Sequence, residues 1–214
     1  MQLLIDLSTV NHSTFFRESA QLQALTGHLA GLVRARPHGA GPVRVWSAGC
    51  SAGQEPYSLA MLLAETLPGV SAQAVEIRAT DVALGVVRSA ARAIYKARDL
   101  ADVSPDRLRR FFLRGRESRQ GSYRIAPEVR RLVTFQHLDL RKPAWPLPED
   151  FDAILCRNVA IYFDEAERLV LLDRLAGRLR KGGWLIVGNC EILPGRPGVL
   201  QKIAASTFRR VEAP

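Results

Sequence analysis

The sequence predicts an α/β fold built on a doubly wound, mostly parallel sheet, with a small antiparallel β-element inserted into it. Three observations carry that expectation. Val43–Tyr57 (VRVWSAGCSAGQEPY) runs from a β-branched and aromatic stretch through a small-residue turn into a helix start. Strand-like and helix-like segments then alternate, which implies parallel strands with right-handed crossovers. Between Ser104 and Ile125 the alternation breaks into short β-type runs around a polar, Gly-containing loop.

The turn comes first because the rest is arranged around it. Val43–Trp46 reads as a strand, Ser47–Gly53 as the turn, and Glu55–Pro56 opens a helix, where the missing N–H of Pro56 costs nothing in the first turn. Small residues let the backbone approach a ligand closely, and the new helix offers free N–H groups. An ordinary tight βα turn has the same composition; the acidic Glu55 at the mouth of the turn is what argues for a site.

Upstream, Ser13–Arg36 reads as a helix with Leu22, Leu25, Leu29, Leu32 and Val33 near helical spacing, followed by the loop Pro37–Pro42. Downstream, helix Glu55–Thr66 ends at Pro68–Gly69, and Val75–Thr80 is the second strand. Asp81 is expected to cap helix Val82–Ala93. Ser104-Pro105 starts a short helix, and Phe111–Leu113 with Tyr123–Ile125 reads as a hairpin. Val133–Gln136 and Phe151–Cys156 are the third and fourth strands. Asp164 and Glu167 form a capping box for helix Glu165–Arg180, and Trp184–Val187 is the fifth strand. Thr207–Val211 closes the sheet. The division expected is an N-terminal helical segment, 1–36, and a main domain, 37–214, with the inserted β-subdomain at about 103–131.

At 214 residues the chain holds one such domain with a small addition. No apolar run approaches the roughly 20 residues needed to cross a bilayer, and no leader pattern opens the chain, so a soluble cytoplasmic protein without membrane insertion is expected. The net charge is +9, and Arg88–Lys142 alone carries fifteen Lys/Arg against six Asp/Glu. The whole excess therefore lies in the middle of the chain, where it either attracts an acidic partner or forms a solvated face. Cys50, Cys156 and Cys190 are odd in number and far apart, which suits reduced thiols. No CxxC or HxxxH pair supports a metal site, and none is expected.

Ala48–Glu55, Asp81, Asp139–Leu140 and Arg157–Asn158 all fall at the carboxyl ends of predicted strands, where open α/β sheets bind ligands. An acid after the second strand suits ribose hydroxyls, and Asp81 can serve there while also capping a helix. The turn has Gly49 and Gly53 but not the G-x-G-x-x-G spacing of a dinucleotide cradle, nor G-x-x-x-x-G-K-[ST]. A nucleoside without phosphates, such as S-adenosylmethionine, suits it better.

Asn11–Arg17 (NHSTFFR), Trp46–Ser58 (WSAGCSAGQEPYS), Ala79–Asp81 (ATD) and Phe151–Phe163 (FDAILCRNVAIYF), with Gly188–Glu191 (GNCE) as a looser match, give the chain its resemblance. It resembles the CheR-type chemoreceptor glutamate O-methyltransferases over nearly its full length. The resemblance implies a Rossmann-like, class I S-adenosylmethionine (SAM)-dependent methyltransferase domain with a small antiparallel β-subdomain. It assigns cofactor contacts to Asn11, Ser13, Arg17, Glu55, Asp81, Asp139, Leu140, Arg157 and Asn158, with S-adenosylhomocysteine as product. Ser13 stands where the family usually has Thr, so the hydroxyl is kept; His12 stands where it usually has an acid, and Asp139 where some relatives have Asn. Arg17 and Tyr162 match family positions near the reacting groups and are expected to orient them. Plain packing of Tyr162 and Phe163, and a hold on the cofactor carboxylate by Arg17, are the simpler roles.

The implied reaction moves a methyl group onto a glutamate carboxylate, which is already ionised at neutral pH, so no strong base is needed. The implied partner is a chemoreceptor-like signalling protein. A helical domain that precedes this region in the family is not seen before Asn11, and another chain is a candidate to supply it. Six arginines in Ser104–Arg110 and Arg114–Arg119 are candidates to meet an acidic receptor surface. Two rival readings are a methyltransferase acting on nucleic acid, weakened by the missing N/D-P-P-Y type motif and few aromatics in the basic patch, and a SAM-binding signalling module without methylation activity.

Overall fold

β1 (Val43–Ala48), the strand that opens the turn, lies between β2 (Val75–Asp81) and β7 (Phe151–Cys156), parallel to both. The computed structural model describes residues 13–37, 39–189, 191 and 198–211. β6 (Val133–His137) extends the parallel set beyond β2, and β8 (Leu179–Val187) extends it beyond β7. The antiparallel pair β9 (Leu200–Ala204) and β10 (Thr207–Arg210) completes seven strands in the order β6-β2-β1-β7-β8-β10-β9.

Period-two alternation sends the side chains of β1 into two separate apolar layers. Val43 and Val45 face a core that includes Leu22, Leu25 and Leu29 of α1 (Ser19–Ala35) and Leu59 and Leu63 of α2 (Gln54–Thr66). Trp46 and Ala48 face the other core, with Leu171, Leu172 and Leu175 of α6 (Glu165–Arg178). β7 alternates likewise from Ala153, with Ala153 and Leu155 on one side and Ile154 and Cys156 on the other; an irregularity between Phe151 and Ala153 puts Phe151 with the latter, and all six residues are buried. That two-sided burial explains why it reads as an unbroken apolar run.

Several boundaries differ from the sequence reading for identifiable reasons. α1 begins at Ser19, because Phe16 and Glu18 adopt left-handed φ values of 58° and 52° and turn the chain before the helix. α3 (Leu84–Arg92) has Ala83 as its N-cap, with no side-chain cap. Asp81 therefore does not cap that helix; its carboxylate bridges two loops instead. β8 starts at Leu179, so α6 stops at Arg178 and the Gly182–Gly183 pair lies within the strand. The capping box of Asp164 and Glu167 is present as expected.

The inserted antiparallel element has three strands rather than two. β4 (Phe112–Arg114) and β5 (Ser122–Ile125) pair as read, and β3 (Ile94–Lys96) adds to the far side of β5. α4 (Pro105–Phe111) precedes it, with Ser104 as N-cap, and α5 (Pro127–Arg130) follows it. Phe15 joins this small sheet to the main body: its ring meets Tyr95 of β3 edge-on at 4.9 Å and Phe112 of β4 at 5.7 Å. Among the six arginines expected to face a partner, Arg107 is engaged inside the protein. It pairs with both oxygens of Glu65 at 2.8 and 2.9 Å and lies 4.2 Å over the Phe16 ring, whereas Arg109, Arg110, Arg114, Arg116 and Arg119 are exposed. Among the described residues no helix is long and apolar enough to cross a membrane.

Candidate cofactor site

The turn after β1 is shaped by two glycines at positive φ, of which Gly49 has no room for a side chain and Gly53 is tightly packed. The N–H groups of Gly49 and Cys50 both donate to the Thr80 carbonyl, at 2.8 and 2.9 Å, which folds the turn back over β2. Gly49 has φ 79°, and a Cβ there would lie 2.3 Å from Cγ2 of Val159. Gly53, at φ 90°, abuts Ala90 and the Tyr95 hydroxyl, which itself donates to the Ala52 carbonyl at 2.8 Å. Ser51 is held at φ 49° by donating its N–H to Oδ2 of Asp81 at 2.8 Å, while Oδ1 of Asp81 accepts from Ala83 at 3.0 Å. One carboxylate thus ties the ends of two parallel strands together. Burial, with Asp81 and Glu55 close by, pushes the Cys50 thiol well up, so it stays protonated and is no nucleophile.

Arg157, at the exit of β7, is the hub of the site's charges. Its side chain is 2 % exposed. Nη1 donates to Oε2 of Glu55 at 3.0 Å, and Nη2 donates to Oε2 of Glu18 at 3.0 Å and to the Arg17 carbonyl at 2.7 Å. Glu55 also accepts from the Ser47 hydroxyl at 2.7 Å. Burial raises the Glu55 carboxyl above its ordinary value, and Arg157 and the Ser47 hydrogen bond work against that rise. The network fastens residues 13–18 over the carboxyl ends of the strands. Within this strap the Phe15 and Phe16 side chains are buried, and Ser58 accepts the Phe16 N–H at 2.9 Å.

Asn158 follows at φ 60°, a conformation Asn tolerates better than most residues. Tyr162 lies in a single 3-10 turn, Ala160–Tyr162, and is 43 % exposed. On the opposite wall, Asp139 accepts the Arg141 N–H at 2.9 Å in a local turn. Arg141 then reaches the Tyr162 carbonyl at 2.7 Å and lies 4.5 Å over the Phe163 ring. Arg174 of α6 donates to the carbonyls of Leu140, Lys142 and Pro143, which fixes the loop that carries Asp139 and Leu140.

These parts enclose one cleft of about 540 Å³. Ser13, Arg17, Glu55, Asp81, Asp139, Leu140, Arg157, Asn158 and Tyr162 all line it, so residues spread across the sequence come together at one edge of the sheet. Asn11 lies outside the described residues. Thr14, Ser51, Leu138, Arg141 and Val159 also line the cleft and were not singled out from the sequence. Glu191, which the sequence shows only as part of the GNCE motif, holds three backbone N–H groups at and beside the site through its carboxylate. An acid placed just past the end of a strand, beside a glycine, was the available signal.

The volume suits a nucleoside-sized ligand. Asp81 and Asp139 are carboxylates that suit ribose hydroxyls, and Glu55, although paired with Arg157, adds a third acid to the lining. The Ser51 hydroxyl is buried and, among the described residues, has no hydrogen-bond partner, which leaves it available to a ligand.

A parallel sheet ending in an antiparallel pair, with this cleft at its carboxyl edge, defines the class I SAM-binding methyltransferase fold. The crystal structure of the carbon methyltransferase DszA shares it, with a TM-score of 0.51 and 19 % identity over 79 % of this chain and 35 % of that one. Residues 11–209 match the family described as CheR methyltransferase, SAM binding domain. The chain belongs to that family, and SAM is its cofactor. It is 39 % identical over 190 residues to a chemotaxis protein methyltransferase of Klebsiella aerogenes, covering 89 % of this chain and 63 % of that protein. The corresponding protein of Escherichia coli is 37 % identical over 190 residues, with 89 % and 64 % covered. Chemotaxis protein methyltransferase 2 of Pseudomonas aeruginosa is 37 % identical, with 89 % and 66 % covered. The chain spans about two thirds of the length of these relatives.

Proposed function

We propose that the protein transfers the methyl group of SAM to glutamate side chains of a chemoreceptor-like signalling protein. The observation that carries this is the convergence of Arg17, Glu55, Asp81, Asn158 and Tyr162 on one cleft in a chain of this family.

The cofactor supplies a methyl group already activated by its sulfonium. In this reading Asp81 and Asp139 hold the nucleoside, Ser13, Glu55 and Asn158 hold the amino-acid end, and Arg157 acts by keeping Glu55 and Glu18 in place. Arg17 and Tyr162, at the mouth, orient the incoming carboxylate, the guanidinium by paired hydrogen bonds and the phenol by a further one. A new oxygen–methyl bond forms as the methyl–sulfur bond breaks, and its electron pair stays on sulfur. The positive sulfonium and the negative carboxylate become a neutral thioether and a neutral ester. No proton moves, so the chain needs no general base, and most of the rate gain comes from in-line placement. A cytoplasmic location belongs to the same reading.

The test is incubation with methyl-labelled SAM and either receptor-containing membranes or RNA, followed by alkali. Glutamyl methyl esters release labelled methanol, and base-methylated RNA does not. Alkali-stable label on RNA, or no label despite measurable cofactor binding, would overturn the reading.

A further inference from the structure

We propose that Glu191 is a positioning residue of the cofactor site: its buried carboxylate sets the shape of residues 157–162 and so places Asn158 against the cofactor. The inference rests on the proposed role of Asn158 in holding the cofactor.

Glu191 is 9 % exposed, and among the described residues it forms no ion pair. Its two oxygens are instead filled by backbone donors. Oε2 accepts from Asn158 at 2.9 Å and from Gly188 at 2.6 Å, and Oε1 accepts from Ala160 at 2.7 Å. The turn that carries it closes on itself, with the Glu191 N–H donating to the Gly188 carbonyl at 3.0 Å. Charge-assisted bonds of this kind are the stronger ones.

The bonds to Asn158 and Ala160 flank Val159 on both sides, so they fix the stretch whose Val159 meets Gly49 of the turn after β1. Val159 fills the volume that Gly49 leaves open, and Asn158 beside it holds a positive φ that Asn tolerates better than most residues. Glu191 fixes that conformation from behind by accepting the Asn158 N–H. Gly188 makes the approach possible, because a Cβ there would lie 2.8 Å from Nδ2 of Asn158 and 2.9 Å from Oε2 of Glu191. A loop loosened at this point has the cleft to move into.

The experiment uses the full chain and S-adenosylhomocysteine binding by calorimetry, beside thermal melts. E191Q keeps the side-chain volume, but its amide NH2 meets at least one of the three N–H groups. Its dissociation constant should rise by about tenfold, the size of leaving one buried N–H unpaired. G188A, which perturbs the same contact from the start of the Glu191 turn, should weaken binding likewise. The double variant N158A/E191Q should bind no worse than N158A alone, because Glu191 acts through Asn158. A purely structural role would lower melting temperature in E191Q and G188A while leaving affinity within twofold of wild type, and would overturn the proposal. Additive losses in the double variant would also overturn it. Wild-type affinity in N158A would instead remove the role assigned to Asn158, and the proposal with it. Methyl transfer is no part of the readout, so a wrong substrate class leaves the result intact.

Discussion

The carboxylate of Glu18 and the guanidinium of Arg157 meet at 3.0 Å, although 139 positions separate them in the sequence. The pair is the clasp that fastens the N-terminal strap to the strand ends, and it leaves Arg157 balanced between two acids.

Glu18→Ala removes one partner from a cation that is 2 % exposed. Breaking a buried pair in this way costs about 3 kcal/mol, with the partial exposure of Glu18 placing the outcome at the lower end. Chemical denaturation should show that loss, and calorimetry should show weaker S-adenosylhomocysteine binding because the strap carries Ser13 and Arg17. Unchanged affinity would show that the strap closes without its clasp.

Gly49→Ala should abolish cofactor binding. The new Cβ would sit 2.3 Å from Val159, and φ 79° strains any side chain. Adding Val159→Ala removes the collision but not the backbone strain, so binding should return only in part. Full binding by the single variant would show that the loop yields freely.

Arg17→Ala should eliminate methylation of a glutamate substrate. Tyr162→Phe should lower turnover with little loss of cofactor affinity, since Tyr162 sits at the exposed mouth of the cleft. Steady-state kinetics beside calorimetry separates the two effects, and full activity in both variants would refute their orienting role.

Phe15→Ala should cost about 3–5 kcal/mol, as expected for truncating a fully buried aromatic ring, and should free the small sheet from the main body. Hydrogen exchange should then rise first in β3 and β4, whose Tyr95 and Phe112 lose their shared neighbour.

His28 gives the fold a pH dependence. Its ring stacks on Trp184 at 4.0 Å, and burial lowers its pKa below the ordinary 6.5, opposed by the charge of Asp152. The folded state therefore binds this proton less readily than the unfolded state. The stability tied to the neutral ring is present above pH 6.5 and is lost as pH falls below it toward the folded value. His28→Phe keeps the stack and should flatten stability across that interval, as urea melts on both sides of it would record.

Periodicity was enough to reveal the parallel core, because β1 and β7 are buried on both faces and carry little else but apolar residues. It missed β3, whose three residues follow a helix directly, and β9, whose Gln201 and Lys202 face solvent and break the apolar pattern. The residues of the cleft stood out by their place at strand ends, but their bonding did not. Asp81 looked like a helix cap, yet it is shared between Ser51 and Ala83. The grip of Arg157 on Glu18 and Glu55, and that of Glu191 on Asn158, depend on approaches between distant segments that no local pattern records.

Those distances also set the order in which the site can come into being. Glu18 is made before Arg157 and waits for it; Asn158 in turn waits for Glu191. A nascent chain that has extended only through β7 already holds the turn and most of the large core, yet neither fastening is present. Ligand capture therefore follows the synthesis of β7 and of the Gly188–Glu191 turn, and until then the growing chain is held by its packing rather than by its cofactor.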